Sequence, residues 1–344
     1  MNKRRIVLVG LGRMGRNHLR VILESDQFEL AGIVEPRPLP AQDPKLDGIP
    51  AWKNIGQCLA SDISFDCAVV ATPTQSHFDA AQELISAGKH LLVEKPLAAT
   101  HAQATLLANL ARTHRTALVT GHLERLNPAV RKLREVLQFG WIGDPIHFAF
   151  TRVGGYPEGN PKGNNVLMDL AVHDIDVLHF LSGSQRGFEI KGVVTHETRR
   201  PGVADTADLL LERPGSMSAS IHANWITPGK IRTVRVTGTR GICTVDYILQ
   251  TCVFTGGALG NRGAEPKVAF EDLLRLYKTS DTIEFGIERE EPLKIQLREF
   301  AKVLNGASSE ACTAEEAVEA VRIAEQALSN GGDRRSRQAG NKAA

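Results

Sequence analysis

Two stretches of the chain combine residue types that can take up a proton and stabilise a negative oxygen. Glu94-Lys95-Pro96 places a lysine before a proline, and Asp169 precedes His173 by four residues in the run DLAVH. Side chains four residues apart share one face of a helix. Imidazole titrates near neutral pH, and a buried ammonium stabilises a developing alkoxide. These residue types are suited to proton transfer beside an oxygen that develops negative charge, which is the chemistry of an acid/base enzyme.

A glycine-rich turn near the N-terminus is typical of a dinucleotide-binding site. Gly10-Leu11-Gly12-Arg13-Met14-Gly15 matches the pattern GxGxxG, follows the apolar run Ile6–Val9 and precedes a segment with helical periodicity. In dinucleotide-binding proteins these glycines permit a tight turn, approach of the pyrophosphate and close packing of the helix. The helix N-terminus then offers free N–H groups to the anion. The turn predicts a bound dinucleotide, with cofactor contacts from Gly10, Gly12, Arg13, Met14 and Gly15.

Glu35 bears on the choice between NAD and NADP. It lies about 20 residues after the turn, at the end of the predicted strand Phe28–Val34, where an acidic residue binds ribose hydroxyls. A carboxylate there repels a 2′-phosphate, so Glu35 favours NAD. Arg37 can accommodate that phosphate, and NADP stays the less favoured alternative.

Further cofactor contacts are predicted where two more strands end. Open α/β sheets bind ligands at the carboxyl ends of their strands. One segment follows the predicted strand Asp66–Ala71 and the other follows His90–Val93. The predicted contacts are Thr72, Pro73, Thr74 and His77 in the first segment, and Glu94, Lys95 and Pro96 in the second. We expect His77 to shape the nicotinamide pocket rather than to do chemistry.

The elements that must position these residues change in style near residue 122. Strands alternate with helices before it, which predicts a parallel sheet with helices on both faces. Consecutive strands between residues 190 and 254 predict an open, mainly antiparallel sheet. We therefore expect an α/β chain: a Rossmann dinucleotide-binding domain over 1–122, an α+β substrate and oligomerisation domain over 123–330, and a flexible basic tail over 331–344. The last helix is predicted to start with a capping box, Thr313 with Glu316.

Composition excludes several classes of protein. The 344 residues suit two domains, with 42% hydrophobic and 23% charged residues. The net charge is only +2 and four basic side chains lie in the tail, which argues against binding of nucleic acid. No apolar run spans a membrane, and the N-terminal apolar stretch is too short for a signal peptide, so we expect a cytoplasmic protein without a membrane partner. Five cysteines without CxxC spacing suggest neither a disulfide framework nor a zinc site, and no metal is expected.

The EKP tripeptide and the later DxxxHD run, following GxGxxG in this order, resemble the Gfo/Idh/MocA oxidoreductases, named for glucose–fructose oxidoreductase and inositol dehydrogenase. The likeness extends to about residue 330. Within that family the chain is similar to the UDP-N-acetylhexosamine 3-dehydrogenases, through GHLERLNP at 121–128, NWITPGKIR at 224–232 and Asp246-Tyr247. Leu126 stands where that group is expected to have Phe, a conservative apolar change.

The resemblance implies a role for each matching residue. Lys95 would touch both the nicotinamide ribose and the reacting hydroxyl, His173 would be the acid/base, and Asp169 would lie beside it. Which of Lys95 and His173 accepts the proton stays open. Further substrate contacts are predicted at Glu124, Arg125 and Asn127, the alternative being a helix-entry loop in which Asn127 is a cap.

Three residues of the second predicted domain have two interpretations each. Trp225 is interpreted as a core or interface aromatic rather than a platform for a sugar. Lys230 and Arg232 suit a diphosphate or the exposed side of a strand equally well.

The function implied is NAD-dependent oxidation of the 3-hydroxyl of a UDP-linked N-acetylhexosamine, such as UDP-GlcNAc, to a 3-keto sugar. An aminotransferase could then make a 3-amino sugar for lipid A or surface polysaccharide. One alternative is a dehydrogenase of a free polyol or sugar such as an inositol. Another is a non-catalytic NAD-binding regulator. A regulator is expected to have lost part of the catalytic set, so the presence of Lys95, Asp169 and His173 argues against it. A homodimer or homotetramer is expected, because the open sheet leaves a face to cover.

Overall fold

The structure, a computed structural model, describes residues 3–38, 46–155, 165–183, 187–256 and 281–340. The strands, in chain order, are β1 (Arg4–Val9), β2 (Phe28–Val34), β3 (Ala51–Trp52), β4 (Cys67–Val70), β5 (His90–Val93), β6 (Leu118–Thr120), β7 (Pro145–Val153), β8 (Glu189–His196), β9 (Thr206–Arg213), β10 (Met217–Asn224), β11 (Ile231–Gly238), β12 (Gly241–Asp246), β13 (Thr251–Gly256), β14 (Asp281–Glu284) and β15 (Cys312–Thr313).

The helices are α1 (Arg13–Leu23), α2 (Ile55–Leu59), α3 (His77–Ser86), α4 (His101–His114), α5 (Pro128–Gln138), α6 (Val172–Ser182), α7 (Pro292–Leu304) and α8 (Ala314–Gly340). Short 3₁₀ turns cover Thr74–Ser76 and Leu123–Leu126, and a π-helical turn covers Leu167–Ala171. Among the residues described, no helix is both long and apolar enough to cross a bilayer.

The chain folds into two compact units. The first contains Met1–Leu126 and Glu291–Arg322, and the second contains Asn127–Glu290 and Ile323–Ala344. This division differs from the sequence-based one, in which residues 123–330 formed a single domain. The difference arises because a late segment of the chain returns to the first unit.

In the first unit, seven of the described strands form one sheet in the order β15-β6-β5-β4-β1-β2-β3. Neighbours pair in parallel except β15, which runs antiparallel to β6. All of β4 and the stretch Ile6–Val9 of β1 are buried, as expected for strands covered on both faces. The predicted Rossmann arrangement is confirmed.

Helix α7 completes the core of this unit. Its apolar residues Leu293, Leu297, Phe300 and Ala301 follow the spacing of one helix face and join the core cluster. The Phe300 ring stacks on the Phe28 ring of β2, with centroids 5.9 Å apart and planes 8° from parallel. The apolar face of α7 therefore explains why residues 291–322 fold with the first unit.

Helix α8 begins with the predicted capping box. The Thr313 N–H donates to Glu316 Oε2 at 2.8 Å, and the Glu316 N–H donates to Thr313 Oγ1 at 3.3 Å, which confirms that prediction. The helix continues to Gly340, whereas the sequence predicted a flexible tail over 331–344. Residues 341–344 of that prediction lie outside the described residues.

The second unit is built on a sheet with the order β14-β13-β12-β11-β7-β10-β9-β8. Only β7 and β10 pair in parallel among its described pairs, which confirms the predicted, mainly antiparallel sheet. Burial alternates along β10, where Ala219, Ile221 and Ala223 face inwards. Helices α5 and α6 pack on this sheet, and Val172–Leu181 of α6 are all buried.

Candidate functional site

The glycine turn between β1 and α1 has the geometry of a cradle for a dinucleotide. Gly10 has φ of 93°, which favours glycine. A Cβ on Gly15 would lie 2.0 Å from the Gly10 carbonyl oxygen, so α1 can approach the turn only without a side chain there. A Cβ on Gly12 would meet no heavy atom within 4 Å. Helix α1 has neither a side-chain cap nor an acidic first turn, so its N-terminal N–H groups are available to an anion.

Glu35 lies at the end of β2 and is bound to that turn. Its Oε2 accepts the Leu11 N–H at 2.8 Å, and its Oε1 accepts the Arg37 Nε–H at 2.7 Å. The Arg37 hydrogen bond, together with those from backbone N–H groups, outweighs burial and holds the pKa of Glu35 below its ordinary value. A pocket of about 520 Å³ adjoins it, lined also by Trp52 and Lys53. An ionised carboxylate beside a pocket of this size suits the ribose of an adenosine.

His77 links the two loops that follow β4 and β5. Its ring is buried, with Nδ1 2.8 Å from the Pro96 carbonyl oxygen and Nε2 2.9 Å from the Thr72 carbonyl oxygen. Burial lowers the pKa of His77. A neutral imidazole has one N–H, so it donates to one of these carbonyls at a time. The contacts support the expectation that His77 shapes a pocket.

Glu94 of the EKP segment is tied to α1 by a residue that sequence reasoning missed. His18 Nε2 lies 2.6 Å from Glu94 Oε1, and both side chains are buried. Glu94 Oε2 accepts the Lys95 backbone N–H at 3.2 Å. Burial alone would raise the pKa of Glu94, but the His18 hydrogen bond and nearby positive charge bring it below its ordinary value. The available signal was a polar residue in the apolar stripe of α1, which needs a buried partner.

Two of the predicted substrate-contact residues in the segment GHLERLNP form hydrogen bonds with other residues of the protein. Arg125 is 1% exposed, and its Nη1 donates to Glu316 Oε2 at 2.8 Å. Asn127 Oδ1 accepts the Ala129 N–H at 3.0 Å and caps α5, and its Nδ2 donates to the Tyr247 carbonyl at 2.9 Å. The cap is the alternative that the sequence left open. Glu124 is half-buried in the 3₁₀ turn.

Asp169 lies in the π-helical turn that precedes α6. The sequence analysis expected Asp169 and His173 to share one face of a regular helix, but the Val172 N–H donates to the Leu167 carbonyl, five residues back. This changes how Asp169 is oriented relative to His173 from what a four-residue spacing on an α-helix implies. Single π-helical turns within helices occur often at functional sites.

Trp225 holds the Asp169 carboxylate. The indole Nε1–H donates to Asp169 Oδ2 at 3.0 Å, and the ring is 1% exposed. Its backbone N–H donates to the Asp205 carbonyl at 2.9 Å. The interpretation of Trp225 as a core aromatic agrees with this burial, and the hydrogen bond gives it a second role.

His173 lies in the first turn of α6, beside a buried ion pair. The neighbouring Asp174 accepts Nε–H and Nη2–H bonds from Arg152 of β7 at 2.9 to 3.0 Å. Arg152 and Asp174 are almost fully buried, and the Arg152 guanidinium lies 5.1 Å from the centroid of the Tyr247 ring. Since an unpaired buried charge is costly, this pair fixes α6 against the sheet and with it the position of His173.

Arg232 is committed to backbone groups. Its guanidinium donates to the carbonyls of Val153, Ile231 and Gly154. Lys230 lies near Gly155, where a Cβ would come 3.1 Å from its Cε. Of these two candidate diphosphate contacts, Lys230 therefore remains the better one.

The structure assembles the predicted residues in two sets. In the first unit, Gly10, Glu35, Thr72 and Glu94 each follow a strand of the parallel sheet, so they lie at one edge of it. In the second unit, Asp169 lies in the π-helical turn, and His173 lies in the first turn of α6, which follows directly. The first set fits a dinucleotide: the cradle has room at Gly12, and Glu35 is placed for a ribose. The second set offers a carboxylate and an imidazole for proton transfer.

Two family profiles match the two parts of this chain. The oxidoreductase family described as an NAD-binding Rossmann fold matches residues 4–122, and the GFO/IDH/MocA C-terminal domain matches residues 130–244. The chain is 26% identical over 246 residues to a UDP-N-acetylglucosamine 3-dehydrogenase of Acidithiobacillus ferrooxidans, covering 71% of this chain and 74% of that one. It is also 26% identical over 270 residues to a myo-inositol 2-dehydrogenase of Thermotoga maritima, covering 76% and 80%.

Solved structures show the same fold. UDP-N-acetylglucosamine 3-dehydrogenase GnnA from A. ferrooxidans aligns with a TM-score of 0.76 at 22% identity, covering 95% of this chain and 96% of that one. GenD2 from gentamicin A biosynthesis, in complex with NAD, aligns at 0.78 and 22%, covering 97% and 95%. A KijD10 variant, a 3-ketoreductase from Actinomadura kijaniata in complex with TDP-benzene and NADP, aligns at 0.78 and 18%, covering 96% and 98%. The fold is therefore found with either dinucleotide.

The glycine cradle, the EKP segment and the DxxxHD helix lie in the two domains to which these profiles correspond. With both domains matched, the chain belongs to the Gfo/Idh/MocA family of oxidoreductases.

Proposed function

We propose that the protein is an NAD-dependent dehydrogenase that oxidises the 3-hydroxyl of a UDP-linked N-acetylhexosamine, such as UDP-GlcNAc, to a 3-keto sugar. The observation that supports this most is the hydrogen bond from Trp225 to Asp169. It joins the NWITP stretch, which resembles nucleotide-sugar dehydrogenases, to the carboxylate of the candidate acid/base segment. The relative named as a UDP-N-acetylglucosamine 3-dehydrogenase supports the same substrate class.

In the proposed reaction the carbinol C–H bond breaks and its electron pair leaves as hydride, while the O–H bond breaks and a C=O bond forms. A nicotinamide held at the glycine cradle would supply the hydride acceptor. Where His173 takes the hydroxyl proton, the Lys95 ammonium stabilises the oxygen as negative charge develops. Where Lys95 takes the proton, it starts as the neutral amine and ends as the ammonium. Asp169, held by Trp225, lies beside His173 in the arrangement that the family resemblance implies. The products are the 3-keto sugar, the reduced dinucleotide and one proton.

The choice of NAD over NADP belongs to this proposal and is supported by Glu35. Its carboxylate is held ionised beside the glycine turn, where a 2′-phosphate would meet like charge. Arg37 offsets part of that repulsion, since it pairs with the same carboxylate. Four further expectations go with the proposal: substrate contacts at Glu124, Arg125 and Asn127, a homodimer or homotetramer, a cytoplasmic location, and an aminotransferase that consumes the 3-keto sugar.

The direct test is to follow the absorbance of reduced nicotinamide with NAD and each of four compounds: UDP-GlcNAc, UDP-GalNAc, UDP-N-acetylglucosaminuronate and free myo-inositol. We expect reduction with one UDP-sugar, increased when an aminotransferase removes the 3-keto product. Turnover of inositol without turnover of any UDP-sugar would instead establish a polyol dehydrogenase, the alternative that the T. maritima relative represents. NAD binding with no turnover of any compound, even with the aminotransferase, would also contradict the proposal.

The hydrogen bond from Trp225 to Asp169 can be tested by a substitution at Trp225. Trp225→Phe removes the indole N–H and leaves Asp169 short of a buried donor, which costs about 1–3 kcal/mol. We expect kcat to fall roughly tenfold or more, since about 1.4 kcal/mol corresponds to a factor of ten. Trp141→Phe is the matched control, because Trp141 is 43% exposed and packs edge-on against Phe254 and Phe285. Equal kcat in the two variants would remove this support.

A further inference from the structure

His18 and Glu94 form a contact that the proposed chemistry does not use directly. His18 lies on α1, three residues after the last glycine of the cradle, and Glu94 immediately follows β5. Their side chains are 3% and 7% exposed, and His18 Nε2 is 2.6 Å from Glu94 Oε1. The helix at the dinucleotide cradle is thus bonded to the segment that carries Lys95.

The other oxygen of Glu94 continues this connection. Glu94 Oε2 accepts the backbone N–H of Lys95 at 3.2 Å, so the carboxylate bridges α1 and the Lys95 peptide. The space for it depends on Gly121, where a Cβ would come 3.0 Å from both Oε2 and Cα of Glu94. Backbone bonds from Glu94 to the Val70 carbonyl and from Gly121 to the Val93 carbonyl fix the surrounding strands.

Stability alone does not account for such a pair. Removing a carboxylate and an imidazole from water is costly, and apolar residues of similar size often serve a core equally well or better. What the pair adds is direction, since a short hydrogen bond between two buried groups fixes one orientation of each. A device of this kind is useful where a neighbouring group must be held in one place.

We propose that His18 and Glu94 are positioning residues that couple the placement of α1, and so the binding of a dinucleotide at its N-terminus, to the placement of Lys95. The inference rests on the role of Lys95 in the proposed function. Dinucleotide binding fixes α1, His18 fixes the Glu94 carboxylate, and Glu94 fixes the Lys95 backbone. Loss of the pair should therefore impair the chemical step more than dinucleotide binding.

The kinetic arm of the test compares three variants with the wild-type protein. His18→Phe keeps a ring but removes both nitrogens, and we expect kcat to fall at least tenfold while the Kd for NADH changes less than threefold. His18→Gln keeps an N–H near the position of Nε2, and we expect kcat within threefold of wild type. His114→Phe, an exposed histidine at the end of α4, makes the same chemical change away from the pair and should have no effect.

A second arm does not depend on the sugar. Lys95 is acetylated with acetic anhydride, with and without saturating NADH, and the modified peptide is measured by mass spectrometry. In the wild type we expect NADH to slow labelling of Lys95 at least tenfold. In His18→Phe we expect less than threefold protection, although fluorescence shows that NADH is bound. If no UDP-sugar is turned over, this arm still decides, so failure of the substrate assignment is distinct from failure of the coupling.

Several outcomes would overturn the inference. These are wild-type kcat in His18→Phe, equal protection of Lys95 in both proteins, or no protection of Lys95 in the wild type. Equal loss of kcat in His18→Phe and His18→Gln, with equal loss of melting temperature by circular dichroism, would assign the pair a structural role only. If His18→Phe fails to fold, Glu94→Gln replaces it, because it keeps the shape and the Lys95 contact but removes the charge. The coupling then requires reduced protection of Lys95 in Glu94→Gln, and full protection would contradict it.

Discussion

The two oxygens of the Glu35 carboxylate accept hydrogen bonds from different partners. One holds the Leu11 N–H and so the glycine turn, and the other holds Arg37. Glutamine at this position can still accept the Leu11 N–H through its amide oxygen but carries no charge. The structural and the electrostatic contributions of Glu35 can therefore be separated by one substitution.

We expect Glu35→Gln to relax the discrimination between the two dinucleotides. The ratio of the Kd for NADPH to that for NADH should fall at least tenfold, since one charge repulsion of about 1.4 kcal/mol is removed and Arg37 is released. The two constants are measured by titration of reduced-nicotinamide fluorescence. Glu29→Gln, an exposed change on the same strand, is the control. An unchanged ratio would count against the assignment of Glu35 to cofactor choice.

The sequence predicted which residues lie at strand ends, but it did not predict which side chains form hydrogen bonds with each other. Glu35, Thr72 and Lys95 could be predicted because apolar runs mark where strands stop, and parallel strands end at a common edge. His18 and Arg152 could not be assigned partners, because their carboxylates come from elements distant in sequence. Asn127 was ambiguous for a different reason: the same asparagine before a proline suits a cap and a ligand contact.

At the scale of elements, the turn between β1 and α1 contains two glycines that are needed for different reasons. Residue 15 needs glycine for packing within the protein, whereas residue 12 leaves space that nothing in the described part of the protein fills. Gly15 is required by packing within the protein, and Gly12 is open to the dinucleotide that we propose binds there.

Alanine at these two positions should have opposite effects. Gly12→Ala should leave the free energy of unfolding within about 0.5 kcal/mol of wild type while raising the Kd for NADH at least tenfold. Gly15→Ala should destabilise the protein by about 2 kcal/mol or more, because its Cβ would overlap a backbone carbonyl. Urea unfolding and NADH fluorescence distinguish the two. Wild-type affinity in Gly12→Ala would show that the cradle does not hold the pyrophosphate.

The π-helical turn at Leu167–Ala171 is a feature that the periodicity of the sequence could not predict. The four-residue spacing of Asp169 and His173 correctly indicated a helical segment, since the π-helical turn leads directly into α6. It could not indicate the wider turn at Asp169, because spacing along the sequence carries no information on tertiary contacts such as the bond from Trp225 to Asp169.

At the scale of the whole molecule, one face of the second unit's sheet carries exposed apolar side chains among the described residues. Val194 and Leu210 lie on the adjacent strands β8 and β9 and are 40% and 45% exposed, and Ile242 on β12 is 38% exposed. Exposed apolar side chains on a sheet face are typical of an interface between protein copies. This supports the expected homo-oligomer.

Leu210→Lys tests that expectation. A lysine there must be desolvated when two copies associate, so we expect the mass in sedimentation equilibrium to shift from an oligomer towards the 37.4 kDa monomer. Leu106→Lys is the control, since Leu106 is 57% exposed on α4 in the first unit. A monomeric wild type, or an oligomer that survives Leu210→Lys unchanged, would rule out this face.

The return of α7 to the first unit has a consequence for synthesis on the ribosome. Six strands of the first sheet emerge early, but Phe300, which stacks on Phe28, follows only after residues 127–290 of the second unit have been translated. At elongation rates of roughly 5–20 residues per second, that interval lasts on the order of ten to thirty seconds. For that time the nascent chain presents the apolar surface around β2 to its surroundings. A chaperone that binds exposed apolar segments would find the surface around β2 uncovered until α7 has been made.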